Sequence, residues 1–266
     1  MLTYLAPGVQ PDLDALARGA ELNDHGHGFA IVANNRIVVR KDKDSAKLLD
    51  LFAQTRRLHP EGPALFHSRF ATHGAKSKAN MHPYHVGHDR RTVVAHNGVL
   101  PRSVHPKPGD SRSDTRVFAE DRLGTKPFAD FDTTATKERL ESWLGFQNKV
   151  LILTVDPRYA NQAYLFNEDS GFWHNDVWYS NADFCDAADL ESPFIWARDE
   201  ICPACESGAP DPDTGLCELC ASCVECGESP DQCSKWCGRC YMFDSCTRCG
   251  DFLCSCTSHD VMGLAM

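Results

Sequence analysis

Phe66-His67-Ser68-Arg69-Phe70-Ala71-Thr72-His73-Gly74, followed shortly by Asn80-Met81-His82-Pro83-Tyr84, is the stretch around which the rest of the chain organises. Ala64–Phe70 reads as a strand, because a compact apolar run follows the breakers Pro60, Gly62 and Pro63. A second strand, Thr92–His96, runs into Ala95-His96-Asn97-Gly98-Val99-Leu100. Ser113-Asp114-Thr115 opens a helix reaching about Leu123, since Ser and Asp side chains accept from the free amides of a first helical turn. Each of these segments puts polar residues at the end or the beginning of a regular element.

Outward from this centre, Leu2–Leu5 is a short apolar run suited to a buried strand. Phe29–Ala33 and Arg36–Arg40 are strand-like and meet at Asn34-Asn35, which tolerates the positive φ of a tight hairpin. Ser45–Leu58 has a helical stripe of Leu48, Leu49, Leu51 and Phe52. Thr134–Gly145 is a further helix with Gly145 as its stop. Lys149–Val155, Gln162–Phe166 and Val177–Ser180 complete the strands. Strands dominate and helices interrupt them in two places, which predicts sheets covered by helices in an α+β fold. Near residue 195 the periodic apolar pattern stops, so the chain divides into 1–195 and 196–266.

In order and spacing, the three polar segments resemble class II glutamine amidotransferases, members of the N-terminal-nucleophile hydrolase group. Asn23-Asp24-His25-Gly26-His27-Gly28-Phe29-Ala30 is similar to the glycine-containing segment before that family's second strand. The resemblance covers residues 1–195 and is nearest to uncharacterised amidotransferase-like proteins of actinobacteria and their phages. It implies a four-layer αββα sandwich and hydrolysis of the glutamine side-chain amide. The ammonia would pass to a partner synthase or another acceptor, or else the domain is a simple amidase acting on a different amide.

Residue chemistry agrees with that implication. Arg69 can grip an α-carboxylate with a bidentate fork, and Asp114 can accept from an α-ammonium. The Asn97 side-chain amide and the Gly98 backbone N–H resemble the family's oxyanion hole, where each donor contributes about 3–4 kcal/mol to the transition state. Glycine suits position 98 because the backbone must come close to the reacting carbonyl. Thr72 and His73 fall in the loop that wraps the bound glutamine in the family. Taken singly, an Asn-Gly pair is a turn, Ser-Asp-Thr a helix cap and Arg69 a surface ion pair. Their conjunction carries the reading. His82, His85 and His88 read as a polar loop rather than a metal site.

The family's nucleophile is a cysteine exposed as the first residue once the initiator Met is removed, with its own α-amine as base. Leu2 stands there instead, and Thr3 is no substitute, because Leu at the second position blocks Met removal. Two explanations stay open. A Cys lies just upstream of the Leu2–Leu5 strand in the working protein, or the protein binds glutamine or a related amide without hydrolysing it and acts as a scaffold.

Of the fourteen cysteines, Cys185 stands alone and thirteen lie between Cys202 and Cys256. Repeated C-x-x-C pairs in a chain without a signal-peptide pattern read as metal ligands rather than disulfides. Cys202, Cys205, Cys217 and Cys220 have zinc-ribbon spacing, since two knuckles place four thiolates at tetrahedral corners. Cys223, Cys226, Cys237 and Cys240 can form a second site, and Cys246, Cys249, Cys254 and Cys256 a third. Cys233 and His259 remain as spare ligands and interleaved pairings are equally open, so two or three structural zinc ions are expected. An iron–sulfur cluster is the rival. Metal would supply folding energy to a segment with little apolar core.

The chain carries a formal charge of −10, and residues 206–260 hold ten acidic against three basic side chains. That balance argues against a nucleic-acid surface and favours protein contact through the cysteine-rich module. No apolar run approaches the roughly 20 residues of a membrane helix. The opening residues lack a signal peptide's basic and apolar regions, and no organic cofactor motif is seen, so a cytoplasmic protein is expected.

Overall fold

In the computed structural model of the chain, residues 1–70, 77–87 and 89–185 are described. Thr72, His73, His88 and the cysteine-rich module with all twelve expected zinc ligands lie outside them.

In chain order the strands are β1 (Leu2–Leu5), β2 (His27–Ala33), β3 (Arg36–Asp42), β4 (Ala64–Ser68), β5 (Tyr84–Val86), β6 (Asp89–Asn97), β7 (Lys149–Thr154), β8 (Ala163–Phe166), β9 (Phe172–His174) and β10 (Val177–Tyr179). The α-helices are α1 (Leu13–Leu22), α2 (Ser45–Leu58), α3 (Asp114–Val117) and α4 (Thr134–Leu144). Two antiparallel sheets result, one ordered β3-β2-β4-β1-β10-β9 and the other β5-β6-β7-β8. The hairpin at Asn34-Asn35 forms as its sequence demands, with φ of 50° and 60°.

The period-2 alternation of the strands sorts their side chains into separate layers. Leu2, Ala30, Val32, Leu65 and Trp178 of the large sheet meet Val93, Ala95, Leu151 and Leu153 of the small one. The opposite face of the large sheet, with Leu5, Phe29, Ile31 and Phe66, packs on Ala15 and Leu16 of α1 and on Leu48, Leu49 and Phe52 of α2. The opposite face of the small sheet, with Val94, Val150, Ile152 and Phe166, packs on Phe118 and on Leu140, Trp143 and Leu144 of α4. The layers therefore run helices, sheet, sheet, helices. Burying a side chain such as Phe52 contributes about 1.5–3 kcal/mol. Because β4 and β7 are covered on both faces, they read as continuous apolar runs rather than alternating ones.

Caps close the helices where the sequence supplies them. Asp12 and Asp44 accept from the third amides of α1 and α2 at 2.9 and 3.0 Å, and Thr133 accepts from Thr136 at 3.3 Å. Gly145 takes φ 71° at the end of α4. Arg56, fully buried in α2, donates to the carbonyls of Val9 (2.9 Å), Ala6 (2.6 Å) and Gly62, tying the β1–α1 connection to the turn before β4.

Some expectations need correction. Leu51 is partly exposed, and the inward stripe of α2 is Leu48, Leu49, Phe52, Ala53 and Arg56. This follows from 3.6 residues per turn, which sets Leu51 on the flank of Leu48 that faces away from Leu49, Ala53 and Arg56. The helix expected from Ser113 to Leu123 is α3 followed by a π-helical turn over Phe118–Arg122, closed by Leu123 N–H donating to the Phe118 carbonyl at 2.8 Å. Helix α1 and the short strands β5 and β9 were not anticipated. The buried face of α1 is made mostly of small residues, Ala15, Leu16, Gly19 and Ala20.

Candidate active site

One polar cavity of about 420 Å³ opens where β4 and β6 end and β1 begins. Arg69, Asn97, Gly98 and Asp114, all singled out from the sequence, border it. Arg69 directly follows β4 and is buried, with its backbone N–H donating to Gly26 at 2.9 Å and its carbonyl accepting from His25 at 3.0 Å. Asn97 is the last residue of β6. The chain then turns at Gly98 with φ 129°, and a Cβ placed there would collide with the Asn148 side chain. Glycine is required at that point by both handedness and space.

Asp114, buried in the first turn of α3, is fixed from two sides. Its Oδ2 accepts from Leu100 N–H at 3.1 Å and its Oδ1 from Thr115 N–H at 2.7 Å. These bonds leave lone pairs on both oxygens for a ligand. Asp114 thus also locks the loop after Gly98 to α3, so the Asn97–Gly98 turn and the carboxylate move as one unit.

Beneath these groups lie three buried histidines, His67, His82 and His96, to which the sequence reading gave no catalytic or binding role. The Asn148 side-chain amide donates to Leu144 at 2.6 Å, so its Oδ1 faces His96 and accepts from Nε2–H at 2.8 Å. His96 Nδ1 then accepts from the Thr115 hydroxyl at 3.0 Å. His67 Nε2–H donates to the His96 carbonyl at 3.0 Å. The His82 Nδ1 lies 2.7 Å from that Nε2 and 3.1 Å from His67 Nδ1. The two rings are perpendicular at 3.9 Å between centroids. His82, expected in a polar loop, is instead buried, and Gly28 leaves room for its carbonyl against β2. Burial pushes all three imidazoles below their ordinary pKa, and the neighbouring positive groups add to the effect at His67 and His82. The floor of the cavity is therefore uncharged at neutral pH. The one available sequence signal was His82 standing beside Pro83 within the central motif.

A second polar group borders the cavity at the ends of α1 and β10. Asp183 Oδ2 accepts from Asn23 Nδ2 at 2.8 Å and from Asn181 Nδ2 at 2.9 Å. Arg18 anchors this turn by donating to the Phe184 carbonyl at 2.8 Å. Leu22, Phe70 and Val99 give the cavity a partly apolar, exposed rim.

Met1 stands at the start of β1, where its amine donates to the Ser68 carbonyl at 2.8 Å and its carbonyl accepts from Ser68 N–H at 2.9 Å. Burial lowers this amine's pKa to about 5, against the opposing pull of Asp183. The Met1 side chain packs into the apolar layer with Ala15 and Leu16. Among the described residues no group of three His, Cys, Asp or Glu side chains could hold a metal ion, and no helix is long and apolar enough to cross a membrane. Cys185, the one described cysteine, packs against the layer of α1 and α2.

Comparison with known proteins finds aminotransferases. They are the glutamine–fructose-6-phosphate aminotransferases (isomerizing) of Chlamydia pneumoniae, 32% identical over 93 residues, and of Bacillus thuringiensis subsp. konkukian, 36% identical over 101 residues. Each match takes in 35% of this chain and only 15% or 16% of the relative's length. The same-named protein of Streptomyces coelicolor is 31% identical over 97 residues. Among solved structures, the glutamine phosphoribosylpyrophosphate amidotransferase of B. subtilis aligns with a TM-score of 0.41 at 17% identity, covering 58% of this chain and 35% of that one. No protein-family model matches the chain.

Proposed function

We propose that residues 1–195 form a class II glutamine amidotransferase domain of the N-terminal-nucleophile hydrolase type, which releases ammonia from glutamine for a partner synthase. The observation that carries this reading is the convergence of Arg69, Asp114, Asn97 and Gly98 on one cavity at the start of β1. The similarity to glutamine–fructose-6-phosphate aminotransferases supports glutamine as the amide donor.

In this reading Arg69 takes the α-carboxylate and Asp114 the α-ammonium, with Thr72 and His73 closing over the ligand. That leaves the side-chain carboxamide facing the turn at Gly98. A cysteine thiolate ahead of Leu2 attacks the carbonyl carbon, and the oxyanion is held by Asn97 Nδ2–H and Gly98 N–H. The C–N bond breaks, ammonia leaves with a proton passed from the cysteine's α-amine, and water hydrolyses the thioester to glutamate. An amine depressed by burial, as at Met1, is free to act as that base at neutral pH. The cysteine-rich module binds two or three structural zinc ions and docks the protein that consumes the ammonia.

The test is glutamate and ammonia release by protein whose chain reads Cys-Leu-Thr-Tyr after Met removal. Release that is lost on Arg69→Ala supports the reading, and no release from a folded protein overturns it. A second reading, ligand binding without hydrolysis, is favoured by the burial of the Met1 side chain in the apolar layer. It predicts glutamine binding with no release whichever residue begins the chain.

A further inference from the structure

The mouth of the cavity is rimmed by large apolar side chains turned to solvent. Leu22 (62% exposed), Phe70 (62%) and Val99 (43%) all border it. The Phe70 ring stacks on His25, with 5.0 Å between centroids, which fixes it at the rim. Phe146, 51% exposed, lies at the same end of the small sheet, three residues before Lys149, the register partner of Asn97. Four of the eight large hydrophobic side chains exposed among the described residues thus gather at one end of the fold. Scattered singly they would need no explanation, but a cluster around a polar opening marks a contact surface.

The chain itself leaves from this place. Asn23, next to Leu22, donates to Asp183 at 2.8 Å, and Arg18 of the same helix donates to the Phe184 carbonyl at 2.8 Å. Asp183 borders the cavity, and Cys185, where the described residues end, is two positions further on. Nine positions beyond Cys185 begins Phe194-Ile195-Trp196, preceded by Pro193. It is the first aromatic run after Cys185, and it stands ahead of Cys202, outside every cysteine pair. The expected metal knuckles therefore make no use of it. A connection of that length reaches at most about 30 Å when extended. As a flexible coil it averages about 15–18 Å. Either distance spans the mouth of a 420 Å³ cavity, and the tether holds the segment there at an effective concentration on the order of millimolar.

We propose that Phe194, Ile195 and Trp196 pack onto the rim formed by Leu22, Phe70 and Val99, so that the chain covers the mouth of its own cavity. The contact removes apolar surface from water on both sides, and it does not depend on which ligand the cavity takes. Because the segment leads into the cysteine-rich module, a partner that draws the module away also uncovers the cavity.

Photo-crosslinking of the full chain tests this. Leu22→p-benzoylphenylalanine puts the probe on the rim, and Leu58→p-benzoylphenylalanine puts it at the end of α2, which leads into the opposite end of β4. Cleavage after Glu191 and Glu200 then releases residues 192–200 for mass spectrometry. The expected result is a cross-link within one chain from position 22 to residues 192–200, at least about tenfold stronger than from position 58. Phe194→Ser and Trp196→Ser together should weaken it about tenfold, the scale of losing a buried aromatic anchor. Thermal unfolding confirms that each protein is folded, and should the serine variant fail to fold, the comparison of positions 22 and 58 decides alone. Equal yields from the two positions, no cross-link from position 22, or a yield that the serines leave unchanged overturns the inference. So does a product with the mass of two chains, which gives the rim to a second copy, or cross-linking to residues 71–76 alone, which gives it to that loop.

Discussion

Replacing Gly98 by alanine puts the geometry of the Asn97–Gly98 turn to a quantitative test. The residue has φ 129°, a region closed to most L side chains, and holding alanine there costs about 1–3 kcal/mol. The added Cβ also overlaps the Asn148 Oδ1 and lies 3.1 Å from the Asn148 Cα. Asn148 cannot move freely, because Oδ1 accepts from His96 at 2.8 Å and Nδ2 donates to Leu144 at 2.6 Å. Breaking the first of these adds about 1 kcal/mol or more. The sum is about 2–4 kcal/mol, a fall in melting temperature of roughly 4–16 °C for a domain of this size. Thermal and urea unfolding of Gly98→Ala, Asn148→Ala and the double variant separate the two contributions. The Gly98→Ala cost should shrink by about 1 kcal/mol when Asn148 is already alanine, because the clashing oxygen is gone. A Gly98→Ala protein within about 0.5 kcal/mol of the parent would refute the argument from strain and space.

Other consequences follow from the same contacts. His67, His82 and His96 have folded pKa values below 6.5, so the unfolded chain binds more protons as acidity rises. Their contribution is intact above about pH 6.5 and is lost as pH falls, by up to about 1.4 kcal/mol per pH unit for each histidine; a melting temperature that does not drop between pH 7 and 5 would contradict it. Arg56→Leu leaves the carbonyls of Ala6, Val9 and Gly62 unpaired, and should cost about 3 kcal/mol or more in urea unfolding. For the cysteine-rich module, elemental analysis should find two or three zinc ions per chain, removable by chelator without loss of glutamine binding by residues 1–195. Iron with visible absorbance would replace that account by a cluster.

Much of the fold could be read from the sequence because the central strands are buried on two faces, so that β4 and β7 are apolar runs with clear ends. Asn34-Asn35 and Gly145 announced their turns through backbone handedness alone. Arg69, Asn97, Gly98 and Asp114 stood out because their types fit one chemistry in one order, and the fold does bring them to one cavity. The histidine floor was hidden for a different reason. A His in a Pro-containing loop has the same local sequence whether it is solvated or buried, and only the approach of β2 at Gly28 and of β4 at His67 buries His82. Asn23, Asn181 and Asp183 were equally invisible, since their association spans up to 160 residues of chain and leaves no periodic trace. Helix α1, which carries Asn23 at its C-cap, was missed with them.

The most direct test of the central claim is a crystal structure of the protein soaked with L-glutamine. The account predicts one glutamine in the cavity, with its α-carboxylate on Arg69, its α-ammonium on Asp114 and its carboxamide oxygen toward Asn97 and Gly98. A cavity left empty at saturating glutamine, or a ligand whose carboxamide sits at Arg69 instead, would contradict it.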